Sequence, residues 1–88
     1  MPNTPPTVAL AYIGAPRSLT HLVADLEAAG ATRVTITPDG ISPRSFSGTI
    51  EGLTRDRVRW VVSRYLVAAR GERARVLVDG APVRPGET

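Results

Sequence analysis

One tryptophan lies among arginines in a segment whose spacing predicts a helix. Between residues 54 and 71 the chain reads TRDRVRWVVSRYLVAARG. At about 100° per residue, most apolar side chains of this segment gather on one face, whereas Trp60 and Val67 fall on the opposite face. Tryptophan and arginine are among the residues most enriched at the energetic centres of protein interfaces. The pattern therefore predicts a helix whose outer face binds something.

The candidate contact is a line of four residues along that outer face. Trp60, Arg64 and Val67 follow i, i+4, i+7 spacing, and Arg57 precedes the tryptophan by one turn. We expect these residues to bind a protein partner or a second copy of the chain. The function that they favour is that of a small non-catalytic protein-interaction or self-association module, with a homo-oligomer as one expected form.

The positive charge of the chain is carried by arginine alone and is unevenly distributed. Eleven arginines and no lysine give a formal net charge of +3, and seven of the arginines lie between residues 55 and 75. Arginine-only usage is typical of GC-rich coding sequences, but a basic segment also favours an anionic partner. The alternative function is therefore binding of RNA or single-stranded nucleic acid, because arginine beside tryptophan suits a stacked base. The candidate nucleic-acid-binding residues are Arg55, Arg59, Arg70, Arg73 and Arg75.

The composition argues against several kinds of catalytic site. The chain has no cysteine and a single histidine, which excludes thiolate nucleophiles, disulfides and thiolate zinc sites. Without lysine there is no phosphate-binding loop that ends in lysine. Paired carboxylates at a spacing typical of acid–base catalysis are absent as well. We therefore expect no enzyme activity, no catalytic residue, no metal and no cofactor.

The distribution of apolar residues predicts a protein that does not bind membranes. No apolar run approaches the roughly 18 residues of a membrane-spanning helix. The first residues, MPNTPPT, lack the basic and apolar regions of a signal peptide. A cytoplasmic location is the resulting expectation.

Alternating and helical patterns predict six elements in the order strand, helix, strand, strand, helix, strand. Strands are expected at residues 7–13, 33–37, 45–53 and 73–79, and helices at 19–29 and between 54 and 71. Ser18 and Thr54 are the expected helix caps, and Gly30 is the expected end of the first helix.

This order of elements predicts an α+β fold of the ferredoxin-like split βαβ type (βαββαβ). In that fold two helices cover one face of a four-stranded antiparallel sheet. Residues 7–79 are expected to form the single domain. Residues 1–6 and 80–88, which are rich in proline and glycine, are expected to be flexible tails.

Two known families share this element order. The chain resembles ACT-type regulatory domains in a loop glycine, Gly14, and in the sequence LEAAGA at residues 26–31. That resemblance implies a small-ligand-sensing regulatory domain with its site near residues 14–18. Independently of it, Arg17 and Ser18 are candidate anion-binding residues, because Arg17 and the free backbone N–H groups after Ser18 could hold an anion at the helix start. RNA-recognition motifs carry aromatic residues on their two central strands. Gly48 stands where one of these aromatics would lie, so no RNA-binding residue is assigned from that resemblance.

Overall fold

A central strand with one buried and one exposed face organises the fold. The computed structural model describes residues 7–68 and 74–86. β1 (Thr7–Ile13) alternates between buried side chains at its even positions and exposed or half-buried side chains at its odd positions. The sequence of β1 is apolar at nearly every position, but only one of its faces enters the core.

Two helices and four further strands surround β1. The helices are α1 (Pro16–Ala28) and α2 (Arg55–Ala68). The other strands are β2 (Arg33–Pro38), β3 (Ser45–Glu51), β4 (Arg75–Val78) and β5 (Ala81–Pro82). All strand pairs are antiparallel, and the sheet has the order β2-β3-β1-β4-β5. Within the described ranges, neither helix is both long enough and apolar enough to cross a membrane.

The hydrophobic core lies between the two helices and the buried face of the sheet. Each helix buries one apolar stripe, as its 3.6-residue periodicity requires. The buried core residues are Val8, Leu10, Tyr12, Leu19, Leu22, Leu26, Ile50, Leu53, Val58, Val61, Val62, Tyr65, Val76, Val78 and Val83. Because all of them belong to one cluster, α1 and α2 pack on the same side of the sheet.

The start of α2 is confirmed and the start of α1 is corrected. Thr54 Oγ1 accepts a hydrogen bond from the Arg57 backbone N–H at 3.2 Å, as expected of a helix cap. The prediction that Ser18 caps α1 was wrong, because α1 begins earlier, at Pro16, with Ala15 as its N-cap and no side-chain cap. Proline favours the first helical position because its missing N–H is not needed there.

The sheet has five strands, and the prediction of four was wrong. β4 turns into β5 through Asp79 and Gly80, whose φ angles are +51° and +82°. Aspartate followed by glycine is a strong signal for such a two-residue hairpin turn. Val83 is only 7% exposed, and its N–H donates to the Val76 carbonyl at 3.0 Å. Residues 81–83 therefore belong to the folded domain, although the sequence pattern assigned them to the C-terminal tail.

Three parts of the predicted organisation cannot be compared with the structure. The expected N-terminal tail at residues 1–6 and the last two residues of the chain lie outside the described residues. The same holds for residues 69–73, where the second helix was expected to end and the last strand to begin.

Candidate functional site

Trp60 lies on the outer face of α2, as its helical position predicts. Its side chain is 43% exposed and does not belong to the core cluster. Val67, two turns further along the same face, is 52% exposed. The next residues on the chain after Trp60, Val61 and Val62, are buried. Residues 57, 60, 64 and 67 therefore form a continuous outer line, here called the α2 ridge.

Two arginines of the α2 ridge lie over the indole ring. The Cζ atoms of Arg57 and Arg64 are 4.3 Å and 4.8 Å from the centroid of the Trp60 ring. One arginine belongs to the preceding helical turn and the other to the following turn. Contacts at this distance are cation–π interactions, each worth about 0.5–1 kcal/mol at an exposed site. They favour one orientation of the indole at the surface.

The charges on these two arginines are not neutralised within the described part of the chain. Neither Arg57 nor Arg64 has a carboxylate oxygen within 4.0 Å there. By contrast, Arg33 on β2 forms an ion pair with Glu51 on β3 at 3.7 Å. The α2 ridge thus combines exposed apolar surface with two positive charges that are available to a ligand.

A cleft of about 750 Å³ opens beside the α2 ridge, between α1 and α2. On the α1 side it is lined by Asp25 and Ala28 of the helix and by Ala29, which caps the end of the helix. On the α2 side it is also lined by Gly86, which lies beside Val67 and whose N–H donates to the Ser63 carbonyl at 3.2 Å. The cleft is open to solvent and continuous with the exposed indole, because Trp60 lines it as well.

The other predicted basic residues that the structure describes do not join the α2 ridge. Arg59 points towards the sheet edge, where its Nη1 and Nη2 atoms donate to the carbonyls of Ala81 and Pro82 at 3.4 Å and 3.3 Å. Arg75 is exposed on β4, paired in register with Ile13, on the sheet face opposite the helices. Arg55 is the exposed first residue of α2. The remaining candidates, residues 70 and 73, lie outside the described residues.

The start of α1 lacks the free N–H groups on which the predicted anion site depends. The N–H groups of Ser18 and Leu19 both donate to the Ala15 carbonyl, at 3.1 Å and 3.3 Å. Ser18 is itself buried, whereas Arg17 is exposed. These hydrogen bonds follow from the earlier helix start. Because α1 begins at Pro16, the N–H groups of Ser18 and Leu19 lie within its first turn and are already bonded.

A pair of buried tyrosines near the start of α1 was missed by the sequence analysis. Tyr65 Oη donates to the Ser18 carbonyl at 2.7 Å, and Tyr12 Oη donates to the Ala15 carbonyl at 2.8 Å. The two hydroxyl oxygens are 3.4 Å apart. Because both hydroxyls bind backbone carbonyls, they tie the start of α1 to β1 and α2. The available signal was the placement of both tyrosines on apolar faces.

Comparison of the chain with protein-family models, with curated proteins and with solved structures finds no match. In residues 7–68 and 74–86, no three histidine, aspartate or glutamate side chains come together as a potential metal site. Function is therefore inferred from the geometry of the α2 ridge and its cleft.

Proposed function

We propose that the chain is a non-catalytic protein-interaction module that docks a partner protein, or a second copy of itself, on the α2 ridge. The observation that carries this proposal is the exposed Trp60 in contact with two arginines that have no carboxylate partner among the described residues, beside an open cleft. Apolar surface in contact with water costs about 25 cal/mol per Å². A partner that covers Trp60 and Val67 removes that cost, and the folded domain supplies a rigid support for the contact.

We also infer that the fold is of the ferredoxin-like split βαβ type, extended by β5 as an additional edge strand. The supporting features are the order of the first six elements and the position of β1 between β3 and β4. Folds of this kind carry many unrelated functions. The fold therefore supports the docking proposal only by fixing the outer face of α2 at the surface.

Protein docking is favoured over nucleic-acid binding at this surface. A nucleobase stacks on an open aromatic face, whereas Arg57 and Arg64 already lie over the Trp60 ring. Strong phosphate binding also requires several basic groups along one track. Arg59 is bound to β5, and Arg75 lies on the other side of the sheet.

The proposal is tested with peptides that are selected only for binding, with no assumption about their sequence or charge. Random 16-residue peptides are selected by display on the wild-type domain, and sedimentation velocity over a dilution series measures self-association. The substitution W60A is expected to weaken the selected contacts by about 2 kcal/mol, or roughly 30-fold, as at a typical hot spot. Circular dichroism checks that the variant remains folded.

The matched control is I41A, which removes an exposed apolar side chain far from the ridge in sequence. Ile41 is 83% exposed in the loop between β2 and β3, and its truncation is expected to leave the selected contacts unchanged. Peptides and dimers that bind W60A as tightly as the wild type would contradict the proposed docking surface.

A further inference from the structure

We infer that the occupant of the α2 ridge is an acidic amphipathic helix of another protein. This inference rests on the proposed function and adds the chemistry of the partner. Arg57 and Arg64 have no carboxylate partner within the described residues. A partner that covers Trp60 must also cover these guanidiniums, and a buried charge without a counter-charge is strongly unfavourable. The partner must therefore bring carboxylates to this surface.

The spacing of the two arginines matches two carboxylates on a helix. Arg57 and Arg64 are seven residues apart, which separates their backbones by about 10.5 Å along the axis of α2. Their guanidiniums turn towards each other, because both Cζ atoms lie over the Trp60 ring, at 4.3 Å and 4.8 Å from its centroid. Glutamates at positions i and i+7 of a partner helix share one face and have the same backbone separation, and their side chains are long enough to reach these two charges. Each arginine can donate two parallel hydrogen bonds to one carboxylate. A partner helix lying along α2 would thus meet both charges at once.

The cleft provides the apolar part of the recognition. Positions i+3 and i+4 of the partner lie on the same face as its two glutamates, so leucines there would face Trp60. Val67 lies one turn beyond Arg64 and would meet the adjoining turn of the partner. The volume of about 750 Å³ beside these residues accommodates such side chains. Asp25 lines the α1 wall, so the partner's carboxylates are favoured on the α2 side and disfavoured on the α1 side. This asymmetry defines the orientation of the partner across the cleft.

The same charges disfavour a second copy of the chain as the occupant. In a two-fold dimer each ridge would meet its own copy, so two copies of Arg57 and two of Arg64 would gather in one interface. Like charges placed together across an interface oppose association. Asp25 contributes only one carboxylate per copy, on the far wall of the cleft. The excess positive charge would remain.

Designed peptides test the inference directly. Three capped 15-residue peptides share a helix-forming background and leucines at positions i+3 and i+4, and they carry Glu, Gln or Lys at both i and i+7. None contains tryptophan, so Trp60 fluorescence reports binding without interference. At about 0.15 M salt we expect the Glu peptide to bind about tenfold more tightly than the Gln peptide, and the Lys peptide to bind most weakly.

Reversing the charge of Arg64 distinguishes a change in charge complementarity from damage to the fold. The variant R64E is expected to lose the preference for the Glu peptide and to gain affinity for the Lys peptide, which an unfolded protein would not do. The matched control is R75E, which changes the net charge equally on the open face of the sheet. It is expected to leave the order of the three affinities unchanged.

The possible outcomes distinguish this inference from the proposed function. Equal affinities for the Glu and Gln peptides, both lost in W60A, would overturn the acidic partner while the docking surface stands. Three outcomes would each also overturn the inference: a Trp60-dependent dimer, tight Arg64-dependent binding of a dT12 oligonucleotide, or no binding of any peptide. In each of these cases the proposed function is tested separately, by whether the display-selected peptides bind W60A more weakly than the wild type.

Discussion

Trp60 and the residues that contact it lie on the outer face of α2, separate from the hydrophobic core. Its ring is in contact with Arg57 and Arg64 and is 43% exposed. Leu22 on α1, by contrast, is completely buried in the core cluster. Binding and folding are therefore expected to depend on different side chains, and substitutions of single residues can separate them.

Truncation of Trp60 should affect the stability of the domain far less than truncation of a core residue. We expect W60A to lower the free energy of unfolding by about 1 kcal/mol, through lost cation–π and cleft contacts. The matched core variant L22A should lower it by about 2–5 kcal/mol, because it leaves a cavity. Urea unfolding followed by circular dichroism measures both values. Equal losses would show that the indole contributes to the core as much as Leu22 does.

The hydroxyl of Tyr65 should stabilise the fold without contributing to binding. The substitution Y65F removes the hydrogen bond to the buried Ser18 carbonyl. The Ser18 carbonyl lies within α1 and keeps its helical hydrogen bond, so the variant loses one intramolecular hydrogen bond and leaves no unsatisfied acceptor. The free energy of unfolding measured in urea should therefore fall by about 0.5–1.5 kcal/mol. Affinity for peptides selected on the wild-type domain should not change. A variant with unchanged stability and weaker binding would reverse these roles.

Arg59 connects α2 to the last strand of the sheet. Its guanidinium donates to the carbonyls of Ala81 and Pro82, so this arginine serves a structural contact. Removing it in R59A should loosen β5, and hydrogen bonds to a charged group are worth about 1.5 kcal/mol, or roughly tenfold in local opening. Hydrogen exchange at the Val83 N–H, which binds the Val76 carbonyl, measures this opening.

The control for R59A is R57A, because the Arg57 guanidinium stacks on Trp60 instead of binding β5. Exchange at Val83 should remain as slow in R57A as in the wild type. If R59A also left this rate unchanged, the contact between α2 and β5 would have no energetic role.

Gly48 allows β2 and β3 to approach closely. An added Cβ atom would lie 2.7 Å from Ile36 Cα and would also overlap the Thr35 carbonyl oxygen. Because both neighbours are backbone atoms, G48A should cost about 2 kcal/mol as a case of overpacking. The control S47A alters an exposed position on the same strand and should change stability by less than about 0.5 kcal/mol. Thermal unfolding compares them, and equal midpoints would contradict the close approach.

The orientation of Trp60 and the order of the first six elements could be predicted, because periodicity fixes them locally. A helical angle depends only on neighbouring residues, and the cap at Thr54 is a local signal as well. The predicted start of α1 was wrong because the chain contains two start signals close together. Serine favours the cap position, whereas proline favours the first helical position, which Pro16 occupies. The hairpin at Asp79–Gly80 was missed although its turn sequence was present, since the glycines and prolines that follow suggested a tail.

Features that depend on distant residues could not be predicted from sequence patterns. The roles of Arg57 and Arg59 differ because β5 lies beside only one of them, and the pattern placed no strand there. The cleft is lined from both helices, by Ala28 on one side and Trp60 on the other, so it depends on how the two helices pack. The sequence therefore indicates the α2 ridge but not the cleft that accompanies it.

For the whole molecule, we expect binding to occur on one surface, the outer face of α2. The most direct test is an amide chemical-shift map of the 15N-labelled domain during titration with a display-selected peptide. We predict that the largest shifts fall at Trp60, Arg64 and Val67 and across the cleft at Ala28. Largest shifts on the open face of the sheet, around Ala11, or at the start of α1 would contradict the account.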